Sequence, residues 1–181
     1  MRTVFSFSTT VPVGALTIST PYHAANPFDL GNMVLNPTGT RFEASARFPK
    51  LADPQIHITD TRAGQLGWTA YVTATNFAGP GTAAINAQNL ALTGVTAVYT
   101  PGDALQAPAV STFDVLSTAG TVYAPAASGT DGFAGPPAKK FVSTSAGASV
   151  GTVNVFGQLT LKAPASTPAG LYTSTVTFTI S

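Results

Sequence analysis

Residues 172–180 read Tyr-Thr-Ser-Thr-Val-Thr-Phe-Thr-Ile. Tyr172, Ser174, Val176, Phe178 and Ile180 fall on one side of a two-residue repeat, and four threonines fall on the other. A helix, at 3.6 residues per turn, would mix the two sets; an extended strand separates them. The segment is expected to be a strand whose Tyr172, Val176, Phe178 and Ile180 side chains enter the core while its threonines face out. Only Ser181 follows, so this strand is expected to join a sheet that the preceding chain already supplies.

The same period recurs upstream. Residues 41–48 set Phe42, Ala44, Ala46 and Phe48 against Arg41, Glu43, Ser45 and Arg47, an apolar face against a charged one suited to an exposed face or a guarded edge. Residues 68–75 set Trp68, Ala70, Val72 and Ala74 against Thr69, Tyr71, Thr73 and Thr75. Shorter strands are expected at 4–8, 15–20 (Leu16 and Ile18 on one face), 33–35 and 55–59 (Ile56 and Ile58 inward, His57 opposite). Residues 82–99 offer Leu90, Leu92, Val95 and Val98 to the core. Further strands are expected at 112–116, 121–123 and 141–144, then at 150–156 and 158–162 with a break near Gly157. Prolines and glycines between these segments exclude long helices, and the stretch from Gly132 to Pro137 reads as a mobile tip. Many short strands with turn signals every 8–12 residues or so define an all-β protein. The expectation is a single antiparallel β-sandwich or jelly-roll-like domain over residues 1–181, with essentially no helix.

Composition narrows the function classes. Charged residues make up 8 % of the chain, against roughly a quarter in an average soluble domain. Serine, threonine, alanine and glycine fill the surface instead, as on secreted proteins. Eight basic and seven acidic residues nearly cancel, and no basic stripe interleaved with aromatics is available for nucleic acid. The four lysines, at positions 50, 139, 140 and 162, are too scattered for a polybasic membrane patch. Cysteine is absent, which excludes disulfides, thiolate catalysis and cysteine zinc sites. No run approaches the roughly 18 apolar residues of a membrane helix. Met1-Arg2 leads into an alternating threonine-rich stretch rather than an apolar signal core, so the chain is expected either to be cytosolic or to have lost a signal segment. The surface composition favours the second.

Three separated blocks carry a resemblance to a known family. Asp60-Thr61-Arg62, a glycine-bearing turn and Gly67-Trp68-Thr69-Ala70-Tyr71-Val72-Thr73-Ala74 resemble the first signature of the WxL domain. The stretch from Pro164 through Gly170-Leu171-Tyr172 to Ile180 resembles its second, and residues 7–19 resemble the opening of such domains in secreted actinobacterial proteins. The chain departs from the family name at both places, with Trp68-Thr69-Ala70 at the first and Phe178-Thr179-Ile180 at the second. The resemblance implies a surface module of Gram-positive bacteria that associates non-covalently with the cell wall and its peptidoglycan, or with another surface protein.

Trp68, Asp60, Arg62 and Tyr71 are the candidate binding residues. As the only tryptophan, Trp68 serves either as a core anchor or as a stacking platform for sugar or peptide. Asp60 and Arg62, two apart, form either a hydrogen-bonded turn with a local ion pair or a ligand-binding pair. The two histidines, His23 and His57, lack a third ligand or a carboxylate cluster at metal spacing, so no metal or cofactor is expected. No Gly-x-Ser-x-Gly elbow, calcium loop or recurring carboxylate pair occurs, and no catalytic residue is expected. The reading is thus a non-catalytic extracellular module of the bacterial cell surface. Its alternative is a structural subunit of a filament or surface layer, polymerising through donation of the N-terminal strand 3–8.

Overall fold

A computed structural model describes residues 7–50, 56–101, 109–117, 131–147 and 149–181. In chain order the strands are β1 (Leu16–Ser19), β2 (Val34–Leu35), β3 (Arg41–Phe48), β4 (Ile56–Asp60), β5 (Trp68–Ala74), β6 (Phe77–Ala78), β7 (Ala84–Ile85), β8 (Leu90–Pro101), β9 (Val110–Thr112), β10 (Lys139–Thr144), β11 (Gly151–Pro164) and β12 (Val176–Ile180). The only helical element among the described residues is a 3₁₀ turn at Ala87–Asn89, capped by the Asn86 side chain, which accepts from the Gln88 N–H. The protein is all-β, as its alternation requires. Antiparallel sheets of six and four strands pack together, with a two-stranded ribbon of β6 and β7 beside them.

The larger sheet is organised around β11. Its residues 151–161 pair with β8 along one edge. Along the other edge β4 takes Gly151 to Val155 and β3 takes Gly157 to Pro164, so β3 and β4 lie end to end as one interrupted strand. β1 borders β4, and the two-residue β2 borders β3. The expected break at Gly157 is absent. β11 runs through it in one phase, with Val153, Val155, Leu159, Leu161 and Ala163 all buried. Gly157 is there because a Cβ would come within 2.6 Å of the Leu92 side chain on β8.

The irregularity sits on β8 instead. Thr93 pairs with Gln158 and Thr96 with Phe156, so Gly94 and Val95 together oppose Gly157, and Gly94 takes φ +59°. Such a bulge reverses the inward parity of everything beyond it. Leu90 and Leu92 point in before it, and Val95, Ala97 and Tyr99 pack inward after it. Val98, expected in the core, is therefore turned out and 56 % exposed.

The smaller sheet runs in the order β12, β5, β10, β9. A register shift between Lys140 and Val142 turns both Phe141 and Val142 inward, where both are buried. Phe178 of β12 bridges the two sheets. Its ring stacks on Phe48 of β3 at 6.0 Å and meets Phe141 edge-on at 5.7 Å. Tyr22 and Phe28, from the loop after β1, extend this aromatic layer around Phe48.

Three expectations change. The terminal strand begins at Val176, not Tyr172, although Thr173 makes a bridge to Ala78. It lies at a sheet edge, so Tyr172, Phe178 and Ile180 pack against the core only half-buried, and Val176 is exposed. The stretch from Gly132 to Pro137 is docked rather than mobile at its start. Phe133 is buried, its N–H donates to the Ala87 carbonyl at 3.1 Å, and its own carbonyl accepts from the Ala74 N–H at 2.8 Å. The strand expected at 112–116 ends at Thr112, after which Val115 makes only a bridge to Leu92. The strand expected at 121–123 and the first part of the one at 4–8 lie outside the described residues; Phe7 and Ser8 are not in a strand. No helix in the described residues is long and apolar enough to cross a membrane.

Candidate functional site

Inward parity on β4 runs Ile56, Ile58, Asp60, which places a carboxylate where the pattern calls for an apolar side chain. Asp60 has no exposed surface. Arg62, two residues on in the following turn, answers it. The Arg62 backbone N–H donates to Oδ1 at 2.9 Å, and its guanidinium grips both oxygens, Nε to Oδ1 and an Nη to Oδ2, each at 3.0 Å. The same Nη donates to the Gly67 carbonyl at 2.6 Å, which ties the ion pair across the turn to the start of β5. Burial acts to raise the Asp60 carboxyl, but the hydrogen bonds and the positive charge of Arg62 outweigh it and hold the group below its ordinary range. The Ser149 hydroxyl, which has no full hydrogen-bond partner, adds a weaker pull in the same direction. Asp60 in turn raises the Arg62 guanidinium further.

Gly67 closes the turn at φ +73°, and a Cβ there would lie 2.8 Å from the Ala146 nitrogen and 3.0 Å from the Thr144 carbonyl. The loop after β10 therefore rests on this turn, with the Gly147 N–H donating to the Gln65 carbonyl at 2.7 Å. Trp68 follows and is buried, paired across the sheet with Thr144. Among the described residues the buried side-chain atoms without a partner are Gln65 Oε1, Trp68 Nε1, Thr144 Oγ1 and Ser149 Oγ. All four belong to this end of the molecule, where the turn and the loop after β10 meet. A buried polar group left unpaired costs roughly 1–3 kcal/mol, and these four lie at the same end as the Asp60–Arg62 ion pair.

The four residues singled out from the sequence thus divide. Asp60, Arg62 and Trp68 come together inside the fold, with 22 % of the Arg62 side chain still open to water. Tyr71 stands apart, on the outer face of β5. Its register neighbours are Thr179 on β12 and Lys140 on β10; Thr73 lies opposite Thr177, and Thr69 opposite Ser143. That face carries hydroxyls around one phenol ring, but Thr73 is engaged within the fold: its Oγ1 donates to the Phe133 carbonyl at 3.1 Å, and a Cβ on Gly135 would lie 2.4 Å from it. Lys140 leans aside, its Nζ 3.8 Å from the centre of the Phe113 ring. The inward position of Asp60 was within reach of the sequence, since it continues the parity of Ile56 and Ile58; ending the strand at Thr59 hid it. The threonine face of β5 and β12 was visible as alternation, but its assembly into one surface depended on which strands pair.

The outer face of the larger sheet is polar in another way. His57 Nδ1 lies 2.5 Å from Asn154 Oδ1, Thr59 bonds Thr152 and Ser45 bonds Thr160 across the strands. These groups satisfy each other. His23 is exposed in the loop after β1, far from His57 in sequence and on a different element. Among the described residues no three His, Asp or Glu side chains group as a metal site would require. Two open depressions, of about 250 and 300 Å³, lie beside Asp114, Asp131 and Lys139 and beside Pro80, Pro164 and Pro168 respectively. Neither includes Trp68, Asp60, Arg62 or Tyr71.

The fold and this site define an all-β protein of packed antiparallel sheets with a hydroxyl-bearing outer face on β5 and β12. Comparison with protein-family models, curated proteins and solved structures finds no match to the chain.

Proposed function

We propose that the protein is a non-catalytic extracellular module of the bacterial surface that associates with cell-wall peptidoglycan or with another surface protein. The observation that carries this reading is the outer face of β5 and β12, where Thr69, Thr177 and Thr179 lie around Tyr71. Hydroxyls offer both donor and acceptor to glycan or peptide groups, and a phenol adds a ring to lie against a sugar. The resemblance of residues 60–74 and 164–180 to the WxL signatures supports the same compartment and the same class of ligand. Trp68 is buried, so Tyr71 takes the contact role that the indole would otherwise have.

The test is sedimentation with purified Gram-positive peptidoglycan. The protein is expected to pellet weakly, and with little dependence on salt, because a nearly neutral, ion-poor surface has little long-range attraction for salt to screen. Tyr71→Ala is expected to abolish pelleting while the melting temperature stays within a few degrees. Absence of pelleting in the parent chain, or full binding by a folded Tyr71→Ala variant, would overturn the reading.

A further inference from the structure

Ahead of β1 lies an extended stretch that the fold leaves uncovered. Phe7 is 95 % exposed, Val11 72 % and Val13 86 %. They occupy odd positions, with Thr9 between, while Ser8, Thr10 and Pro12 occupy even ones. On an extended chain the odd set shares one face. This arm belongs to no strand, yet its base is fixed. The Thr61 N–H donates to the Ala15 carbonyl at 2.8 Å, the Ala15 N–H to Thr61 Oγ1 at 2.9 Å, and the Ala63 N–H to the Val13 carbonyl at 3.4 Å. Gly14, at φ +68°, lies so close to Thr61 that a Cβ would be 1.9 Å from its carbonyl oxygen. These contacts tie the arm to residues 61–63, the continuation of β4 in the larger sheet, and none ties it to its own β12.

β12 is the complementary feature. It pairs with β5 alone, so the backbone groups along its other side have no strand partner. Phe178 and Ile180 point into the sandwich but are only half-buried; β1 approaches β12 from the larger sheet without pairing to it. Edge strands usually carry a charge that discourages pairing with another chain. Residues 7–19 contain none, and neither do residues 171–181. Pro12 lacks an N–H, which a strand added at an edge tolerates.

We propose that residues 7–13 of one copy add as a further strand to the open β12 edge of a second copy, seating their apolar face over Phe178 and Ile180. The contact joins two different surfaces, so it propagates head to tail and yields rings or open filaments rather than a closed two-fold dimer.

Because the chain has no cysteine, the contact can be trapped without background. The full chain carrying Thr10→Cys and Thr177→Cys together, which the proposed pairing sets on the same face, is treated with a short bis-maleimide and run on a denaturing gel. A ladder of dimers, trimers and longer species is expected, while either single variant stops at the dimer. A fast-migrating cross-linked monomer would mean that the arm closes on its own β12, and absence of cross-linking would mean that it does not reach the edge; each overturns the proposal. Sedimentation of the unmodified chain supplies the second arm. Its average mass is expected to rise with concentration, and Val11→Asp, at a position already exposed, is expected to return it to that of one copy with an unchanged melting curve. A parent chain that sediments as one copy throughout, or a Val11→Asp variant that still assembles, would overturn it as well.

Discussion

The interrupted strand that β3 and β4 form along β11 carries an ion pair at each end, built on the same spacing. At one end Arg41 and Glu43 stand two residues apart, and at the other Asp60 and Arg62 do. Arg41 and Glu43 share the outward parity of β3 and expose about a third of each side chain, at 33 % and 34 %. Asp60 has the inward parity of β4 and exposes none of its side chain. An exposed pair contributes about 0–1 kcal/mol, whereas removing one partner of a buried pair costs about 3–5 kcal/mol because the other charge is stranded. Spacing therefore decides that two charges can meet, and strand parity decides what the meeting is worth.

The largest effect expected is that of Asp60→Ala. It leaves Arg62 partly buried and frees the Gly67 turn, and the loss read by urea denaturation should be about 3 kcal/mol, toward the low end of the buried range because Arg62 retains some contact with water. The acid limb of stability tests the same pair. Asp60 is held below its ordinary value in the fold, so its contribution is complete above the unfolded value of about 3.9 and is lost as the pH falls through the lower folded value. The stability gap between the parent and Asp60→Asn should be constant from about pH 5 upward and should narrow below about pH 4. A gap that does not change with pH would mean that the carboxylate matters through shape and not through charge.

Phe178→Ala supplies an apolar yardstick between the extremes. A buried phenylalanine costs about 3–5 kcal/mol to truncate, and this one is half-buried, so a loss of about 2 kcal/mol is expected. Thr177→Ala, on the outer face beside it, should cost under about 1 kcal/mol. Reversal of that contrast would place the whole strand one residue out of register. The smallest effect belongs to Glu43→Gln, expected at about 0.5 kcal/mol or less and fading as salt is added. A Glu43→Gln loss as large as that of Asp60→Ala would break the comparison.

Much of the fold was legible where a strand reads as clean alternation. Residues 41–48 coincide with β3, residues 68–75 match β5 except that it ends at Ala74, and the parity of Phe178 against Thr177 is as the sequence has it. What alternation could not convey is depth and continuity. Whether an inward side chain is sealed depends on having a neighbour on both sides, which β11 has and β12 lacks. The bulge at Gly94 reverses parity within a run that shows no sign of it except one glycine. Phe133 is held by Ala87 and Ala74, partners more than 40 residues away, so nothing local distinguishes its loop from a free one. At the candidate site the residue types were visible, but their division between an interior clasp and an exposed face was decided by pairing across the sheets.

The central place of β11 also sets a timetable. β3, β4 and β8 are all made before it, and each takes its long antiparallel partner from residues 151–164. Arg41 must wait for Pro164, a closure over more than 100 residues, and such distant pairings make folding slow. At roughly 5–20 residues per second, a ribosome takes on the order of several seconds to go from the end of β8 to the end of β11. During that interval β3 and β4 have only the short β2 and β1 as partners and β8 has none in the larger sheet, which is completed in one late step when β11 arrives.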